Sequence, residues 1–233
     1  MLFSKRNSID CDKCQVKASC FYAYLDPAAQ REWKSLMTTA RLEDGEILFN
    51  EGDRPPGLFI VCSGSLKVCK NSLSGQQLIS RIEHAGDLAG HIAFFAGGAY
   101  QGSGEAMGQT LVSMISDEPF INFLKKYPNA DIALIRALAR DVRAGDNKAH
   151  DIAYKPAKSR MADALMQSAA PCGKKYIVRG VKRRELAEMS GLTVETAVRI
   201  LAEFEKKKII RREGKEIAVI NRDALSKLSL SDE

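Results

Sequence analysis

Long apolar runs are missing from this sequence. No segment joins about 18 apolar residues in a row, the length that a helix needs to cross the hydrocarbon core of a membrane. The opening residues, MLFSKRNSIDCDKC, also lack the apolar stretch of a secretion signal. With 45% hydrophobic and 27% charged residues, the composition is that of an ordinary soluble protein. We therefore expect a cytoplasmic protein without a membrane partner.

Enzyme motifs are missing as well. The sequence has no Gly-rich phosphate-binding loop, no nucleophile elbow and no pairing of His with a carboxylate of the kind that catalytic sites use. It also shows no internal repeat and no low-complexity segment. We expect a protein that is not an enzyme.

Positive charge is concentrated in the C-terminal third. Residues 154–233 carry 18 Lys and Arg against 11 Asp and Glu, a net charge of +7, whereas residues 1–153 sum to −1. A basic region joined to a nearly neutral one is typical of a chain that binds nucleic acid through the basic part. A solubilising surface is the alternative.

Six cysteines are present, and three of them fall within one stretch of ten residues. In a cytosolic chain, clustered cysteines indicate metal or redox chemistry before disulfides. The six are Cys11, Cys14, Cys20, Cys62, Cys69 and Cys172.

Two periodicities divide the chain. From about Leu42 to Ser116, short runs such as EILFNEGD, GLFIVCSGSLKVCK and TLVSMIS are punctuated by Gly, Asp, Asn and Pro, which predicts a β-sandwich or jelly roll. From Asp131 to Ala153 apolar residues recur at three- and four-residue steps, with an interruption at Gly145 and Asp146. This row of apolar residues along one face of a helix predicts either a two-chain coiled coil or an amphipathic helix packed on its own domain.

The segment KRRELAEMSGLTVETAVRILAEFEKKKII is typical of a helix-turn-helix. Ala187 is small where two helices cross, and Gly191 suits the tight turn between them. Thr193 is a good N-cap for the second helix, and its hydroxyl can also meet a phosphate. A short hairpin follows, with IIRRE and EIAVI on either side of Gly214. An ordinary helical hairpin with solvated charges is the alternative.

Side chains at the start of a recognition helix reach base edges in the major groove. Arg199 can bind the O6 and N7 atoms of guanine, while Glu195 can accept from a cytosine amino group or hold Arg199 in place. The predicted DNA-contacting residues are Thr193, Glu195, Thr196, Val198 and Arg199. The predicted phosphate contacts are Lys182, Arg183, Arg184, Lys206, Lys207, Lys208, Arg211, Arg212 and Lys215.

Along almost its whole length the sequence resembles the CRP/FNR family of transcription regulators. The motifs that carry the resemblance are EILFNEGD, LFIVCSGSLKV, GDLAG and GLTVETAVRIL. The resemblance implies an α+β fold: a cyclic-nucleotide-binding-like jelly roll, a long dimerisation helix and a winged helix-turn-helix. It also implies a homodimer on a palindromic promoter in double-stranded DNA, with RNA polymerase as a partner. The expected parts are a cysteine arm at 1–24, the sensor roll at 25–128, the dimerisation helix at 129–153 and the DNA-binding domain at 154–233.

The leader CDKCQVKASC resembles the FNR branch, whose C-x2-C-x5-C cysteines hold an oxygen-labile [4Fe–4S] cluster. Cys11, Cys14 and Cys20 have that spacing, and short spacings let one loop reach several irons of a cube. The resemblance therefore implies a regulator that responds to oxygen or redox state. Zinc binding and incidental cysteines on an N-terminal arm are the alternatives.

The fourth ligand departs from the family. The matching late-strand position falls at or near Ser113, where this sequence has no cysteine. Cys62 lies on a different strand that can neighbour the late one in a jelly roll, and we favour it as the fourth ligand. Asp117 or a small molecule can also complete the cube, and Cys62 and Cys69 can equally be buried small hydrophobic residues. Cys172 lies in a linker-like PCGKK segment without an assigned role.

A different effector is the alternative function. Family members that bind cyclic AMP use a Gly-Glu pair and an Arg-Ser pair, but here Asp87 replaces the glutamate and no arginine lies between Gly86 and Met107. A cyclic phosphate needs a countercharge in a dry pocket, which disfavours a cyclic nucleotide. His91 suggests a haem ligand, as in gas sensors of the family. The alternative is thus a regulator gated by haem-bound gas or another small molecule, without a cluster.

Overall fold

The structure is a computed structural model that describes residue 3 and residues 9–73, 75–173 and 175–230. The expected cysteine arm is therefore described only at residue 3 and from residue 9 onward, and the DNA-binding domain without Lys174 and residues 231–233. The chain divides into two compact units. The first contains residues 1–70 and 81–144, and the second contains residues 71–80 and 145–233.

The first unit begins with short helical segments. Two 3₁₀ turns at Cys11–Lys13 and Phe21–Tyr24 precede helix α1, Pro27–Leu36. The carboxylate of Asp26 accepts hydrogen bonds from the backbone N–H groups at the start of α1, and proline at the first position has a φ suited to a helix. Trp33 anchors the helix because its side chain is almost completely buried.

The strands of the roll are β1 Thr38–Leu42, β2 Ile47–Phe49, β3 Gly57–Asn71, β4 Gln77–His84, β5 Leu88–Ala89 and β6 Ser103–Ser116. They form an antiparallel sheet in which β6 lies between β1 and β3, and β4 lies on the far side of β3. The short strand β2 pairs with β6, and the short strand β5 pairs with β3. The regularly spaced turn residues predicted short strands throughout, but β3 has 15 residues and β6 has 14. The predicted α+β class is confirmed.

Helices α2, His91–Ala96, and α3, Asp117–Lys126, follow the last two strands. One hydrophobic cluster packs α3 and the N-terminal turns around Trp33. A second cluster fills the inside of the roll around Phe49 and Phe59. The first cluster positions the cysteine-rich leader because Cys11 and Cys20, at the two ends of the leader, pack against it.

The long helix α4 runs from Asn129 to Tyr154 without a break. Gly145 therefore does not interrupt the helix itself, although it is exposed and lowers helix propensity by about 1 kcal/mol. The buried positions of α4 lie toward its start and pack into the cluster around Trp33; they are Ala130, Ala133, Leu134 and Ala137.

Within the described residues, the second unit contains four helices that follow α4. These are α5 Ala157–Ser168, the pair α6 Arg183–Ser190 and α7 Val194–Lys206, and α8 Arg222–Ser229. An antiparallel sheet has the order β7-β8-β10-β9, formed by Ala169–Cys172, Lys175–Val178, Glu216–Val219 and Ile210–Glu213. Cys172 thus ends a strand, and the expectation of a linker at PCGKK is wrong. In the part of the chain that is described, helices are too short or too polar to cross a membrane.

Candidate functional site

Four cysteines from two distant segments line one pocket of the first unit. Cys11, Cys14 and Cys20 come from the leader, and Cys62 comes from strand β3. The pocket holds about 370 Å³ of empty space, counting solvent at its mouth. We call it the cysteine pocket; its other lining residues are Ile9, Val16, Lys17, Tyr22, Trp33, Met37, Ile60 and Val61.

Backbone hydrogen bonds fold the leader into a compact loop. The N–H of Cys14 donates to the carbonyl of Cys11 at 3.4 Å, and that of Cys20 donates to Val16 at 3.1 Å. Asp12 ties this loop to its surroundings, since its carboxylate accepts from the Tyr22 hydroxyl at 2.7 Å and pairs with Lys34 of α1 at 2.6 Å. The three thiols are therefore held on a short loop that is fixed to α1.

Cys62 reaches the pocket through an irregularity of its strand. The pairing of β3 with β6 shifts register between Val61 and Ser63, and Cys62 lies at this point. Its thiol lies 3.3 Å from the Ser113 hydroxyl on β6. Strands β3 and β6 are neighbours, as the jelly-roll expectation required, so Cys62 lies beside the position where the family pattern has its cysteine.

The four thiols are electrostatically coupled in a largely dry environment. Burial, followed by the charge of Cys62 and Cys20, raises the pKa of the Cys11 thiol to about 12. Burial raises the pKa of Cys62 to about 11, against hydrogen bonds from Ser113 that lower it. Burial also raises the pKa of Cys20. Such thiols become thiolates readily only when a cation binds beside them, because a coordinated thiol is deprotonated by the metal.

The chemistry of the pocket is that of a thiolate metal site. Its described lining contains four thiols and no imidazole or carboxylate. Four cysteines are a donor set that suits either an iron–sulfur cluster or a tetrahedral zinc ion.

The other candidate ligands lie elsewhere. Asp117 is exposed at the start of α3 and does not belong to the lining of the cysteine pocket. Cys69 is buried on β3, and Cys172 lies in the second unit. Neither contributes to the described lining of the pocket.

The segment that resembles an effector site is occupied by internal contacts. The Asp87 carboxylate accepts from the backbone N–H of His84 at 2.9 Å and closes the turn before β5. His91 is buried, and its Nε2 lies 2.9 Å from Oδ2 of Asp141 on α4. Arg81 lies 4.0 Å from the same carboxylate oxygen. The Asp141 carboxylate therefore lies against His91 and Arg81 of its own unit.

The helix-turn-helix has the predicted internal structure. Gly191 adopts φ +59°, a left-handed conformation that glycine accepts without strain, and it ends α6. The N–H of Leu192 donates to the carbonyl of Ala187 at 2.9 Å. Ala187 is 0% exposed, so only a small side chain fits where the helices cross. These contacts fix the angle between α6 and α7.

Helix α7 presents one buried and one exposed face. Thr193 caps it by accepting from the N–H of Thr196 at 3.3 Å. Ala197, Ile200, Leu201 and Phe204 point into the core of the second unit. Glu195, Val198 and Arg199 are exposed near the start of the helix, which leaves them available to a ligand.

The predicted phosphate contacts fall into two groups. Some are paired with acids of the same unit: Arg184 with Glu188, Lys207 with Glu203, Arg211 with Glu213 and Arg212 with Glu205. The other predicted contacts, apart from Lys182, are exposed on the surface of the unit: Arg183, Lys206, Lys208 and Lys215. Exposed ion pairs contribute little, so Lys207 and Arg211 can exchange their acidic partners for a phosphate.

Comparison with known proteins identifies the class first. Residues 39–127 match the cyclic nucleotide-binding domain family, and residues 159–228 match the Crp-like helix-turn-helix domain. A roll of this kind followed by such a helix-turn-helix domain defines a transcription regulator.

Full-length relatives then give the family. The chain is 25% identical over 232 residues to the fumarate and nitrate reduction regulatory protein of Escherichia coli, covering 95% of this chain and 91% of that protein. It is 23% identical over 221 residues to the CRP-like cAMP-activated global transcriptional regulator of Mycobacterium tuberculosis, covering 93% and 98%. In structure it resembles FixK2 from Bradyrhizobium japonicum, with a TM-score of 0.73 at 20% identity over 84% of this chain and 98% of that chain. The chain belongs to the CRP/FNR family of transcription regulators.

Proposed function

We propose that this regulator senses oxygen or redox state through a [4Fe–4S] cluster held by Cys11, Cys14, Cys20 and Cys62. The observation that carries the proposal is the cysteine pocket, where four thiols from two distant segments meet among apolar side chains. When bound, such a cluster supplies an oxygen-labile centre. Similarity to the fumarate and nitrate reduction regulatory protein supports the same assignment.

The residues around the pocket connect it to the long helix. Phe21, Tyr22 and Leu25, which directly follow Cys20, pack in the same hydrophobic cluster as the buried face of α4. The Arg136 guanidinium of α4 also lies 5.8 Å from the Tyr24 ring centre. Ligands that fix the cysteine loop therefore also fix the segment that rests on α4.

The exposed face of α4 supports a homodimer. Ile132, Ile135 and Val142 are 53%, 58% and 64% exposed, and with Ala139 they form a row at heptad spacing. Asp146 continues this row and is also exposed. Paired α4 helices would bury the apolar row but bring two Asp146 carboxylates together. Monomer and dimer are then close in free energy, so a small additional interaction is enough to shift the equilibrium to the dimer.

With a cluster bound, Cys11, Cys14 and Cys20 would hold the leader against α4 and so supply that additional interaction. The dimer then places two α7 helices in successive major grooves of a palindromic promoter, about 34 Å apart. Thr193, Glu195, Thr196, Val198 and Arg199 contact the DNA, and RNA polymerase is the expected partner at the promoter.

The test is strictly anaerobic purification followed by exposure to air. Wild-type protein should be brown, lose its broad absorption in air and change from dimer to monomer in sedimentation. Cys14→Ser should lose the cluster, the dimer and tight operator binding together, whereas Cys172→Ser should keep all three. Operator binding by Cys14→Ser as tight as that of wild type under anaerobic conditions would exclude the cluster as the switch.

A small-effector regulator without a cluster is the second candidate, and the match of residues 39–127 to the cyclic nucleotide-binding domain favours it. In that case colourless protein should bind the operator tightly once a small molecule such as cyclic AMP, or haem with its gas ligand, is added. Its affinity should not depend on oxygen.

A further inference from the structure

We infer that Ser113, backed by Thr39, is a positioning residue that donates a hydrogen bond to the Cys62 thiolate and sets how readily the bound cluster is oxidised. This inference rests on the proposed function. It concerns the position where the family pattern has a cysteine and this chain has a hydroxyl.

A short line of polar groups crosses three adjacent strands. The Cys62 thiol on β3 lies 3.3 Å from the Ser113 hydroxyl on β6, which lies 3.1 Å from the Thr39 hydroxyl on β1. Thr39 and Ser113 are direct partners in the register of β1 with β6. Both side chains are buried, with 2% and 0% exposure, so water does not compete for these hydrogen bonds.

The donors and acceptors in this line of hydrogen bonds can exchange roles. With a protonated thiol, Cys62 donates to the oxygen of Ser113. Either hydroxyl of the Ser113–Thr39 pair can be the donor. With a thiolate at Cys62, Thr39 therefore donates to Ser113, and Ser113 donates to the sulfur. No buried hydroxyl loses a partner in this reversal, so the hydroxyl groups offset part of the cost of burying the charged sulfur.

A hydrogen bond to a ligand sulfur stabilises negative charge on it. Hydrogen bonds to the sulfurs are among the factors that set the reduction potential of an iron–sulfur cluster. Oxidation removes negative charge from the cluster and its ligands, so a donor at Cys62 raises the potential and opposes oxidation. Removing the Ser113 hydroxyl should make the cluster easier to oxidise without removing a ligand.

The experiment compares anaerobically loaded variants by iron content, reduction potential and the rate of absorbance loss after air is added. Ser113→Ala and Thr39→Val should bind wild-type amounts of iron but bleach roughly three- to tenfold faster, at a lower potential, because a charge-assisted hydrogen bond is lost. Thr39→Ser keeps the hydroxyl and should bleach at the wild-type rate. Ser116→Ala, at the exposed end of the same strand, is the matched control.

The outcomes separate the two proposals. Wild-type protein without a cluster overturns the proposed function and this inference together. If the wild-type protein holds a cluster but Ser113→Ala has the wild-type bleaching rate and potential, only the inference is overturned. The inference is also overturned if Thr39→Ser bleaches as fast as Thr39→Val. If Ser113→Ala does not fold, as judged by its melting curve, the Thr39 pair decides alone.

Discussion

The cysteine pocket and the helix-turn-helix are built in opposite ways. The pocket joins a leader loop to a strand from the middle of the roll, and its reactive groups are half-buried thiols. Burial raises the pKa of three of them, Cys11, Cys20 and Cys62. The helix-turn-helix is one continuous segment. The residues proposed to contact bases, Glu195, Val198 and Arg199, are exposed on α7, whose other face is buried. In the pocket, folding and chemistry depend on the same side chains. In the helix-turn-helix, the core of α7 and its reading surface are different side chains.

This difference gives contrasting expectations for mutation. Changes in the first unit should alter stability or cofactor content, because the groups concerned are buried. Changes on the exposed face of α7 should alter DNA recognition and leave folding intact.

The largest expected effect tests how the pocket is assembled. Cys62→Ala should lose nearly all bound iron after anaerobic loading, because three thiolates leave the cube one ligand short. Adding Ser113→Cys to this variant should restore most of the iron and the visible absorption, since the two side chains lie 3.3 Å apart across neighbouring strands. Full iron content in Cys62→Ala alone would instead point to a fourth ligand from outside these four cysteines.

The pH dependence of stability tests the buried charge of the first unit. Burial, with Asp141 and Asp87 nearby, raises the pKa of Glu83 to about 7, although Arg81 lies 3.0 Å away and opposes the shift. The folded state thus holds a proton that the unfolded state has released between about pH 4.5 and 7, and stability from this group falls as pH rises through that window.

Glu83→Gln should remove this dependence. From pH 5 to pH 8 the wild-type free energy of unfolding should fall by about 2 to 3 kcal/mol more than that of the variant. Urea unfolding at fixed protein concentration measures the difference. Parallel pH profiles for the two proteins would show that Glu83 is not protonated in the folded state.

Arg199→Ala tests the reading surface. It should cost roughly 1 to 3 kcal/mol of discrimination for a guanine in each half-site and leave the melting temperature unchanged, because the side chain is exposed. Arg199→Lys keeps the charge but loses the bidentate geometry, so it should retain overall affinity better than selectivity. Unchanged site selectivity in Arg199→Ala would remove α7 as the reading helix.

The smallest effect concerns the cap of α7. Thr193→Ala should lower the free energy of unfolding by about 1 kcal/mol, because the N–H of Thr196 loses its acceptor. Thr193→Ser keeps the oxygen and should recover most of the loss in the same urea titration. A full loss in the serine variant would assign the effect to the methyl group.

The sequence by itself determined the parts whose contacts are local. The helix-turn-helix follows from helical periodicity, a turn glycine at Gly191 and a capping Thr193, all within a few residues of one another. The spacing of Cys11, Cys14 and Cys20 likewise indicates a loop with three thiols, and the charge asymmetry indicates which end is basic.

Only the tertiary structure decided which distant residues meet. That Cys62 lies beside Ser113 depends on the pairing of β3 with β6 and on a register shift at Cys62 itself. That Asp141 lies against His91 depends on how α4 packs on the roll. The physical reason is that helical contacts repeat every few residues along the chain, whereas sheet neighbours and buried charge pairs are selected by the packing of the whole unit.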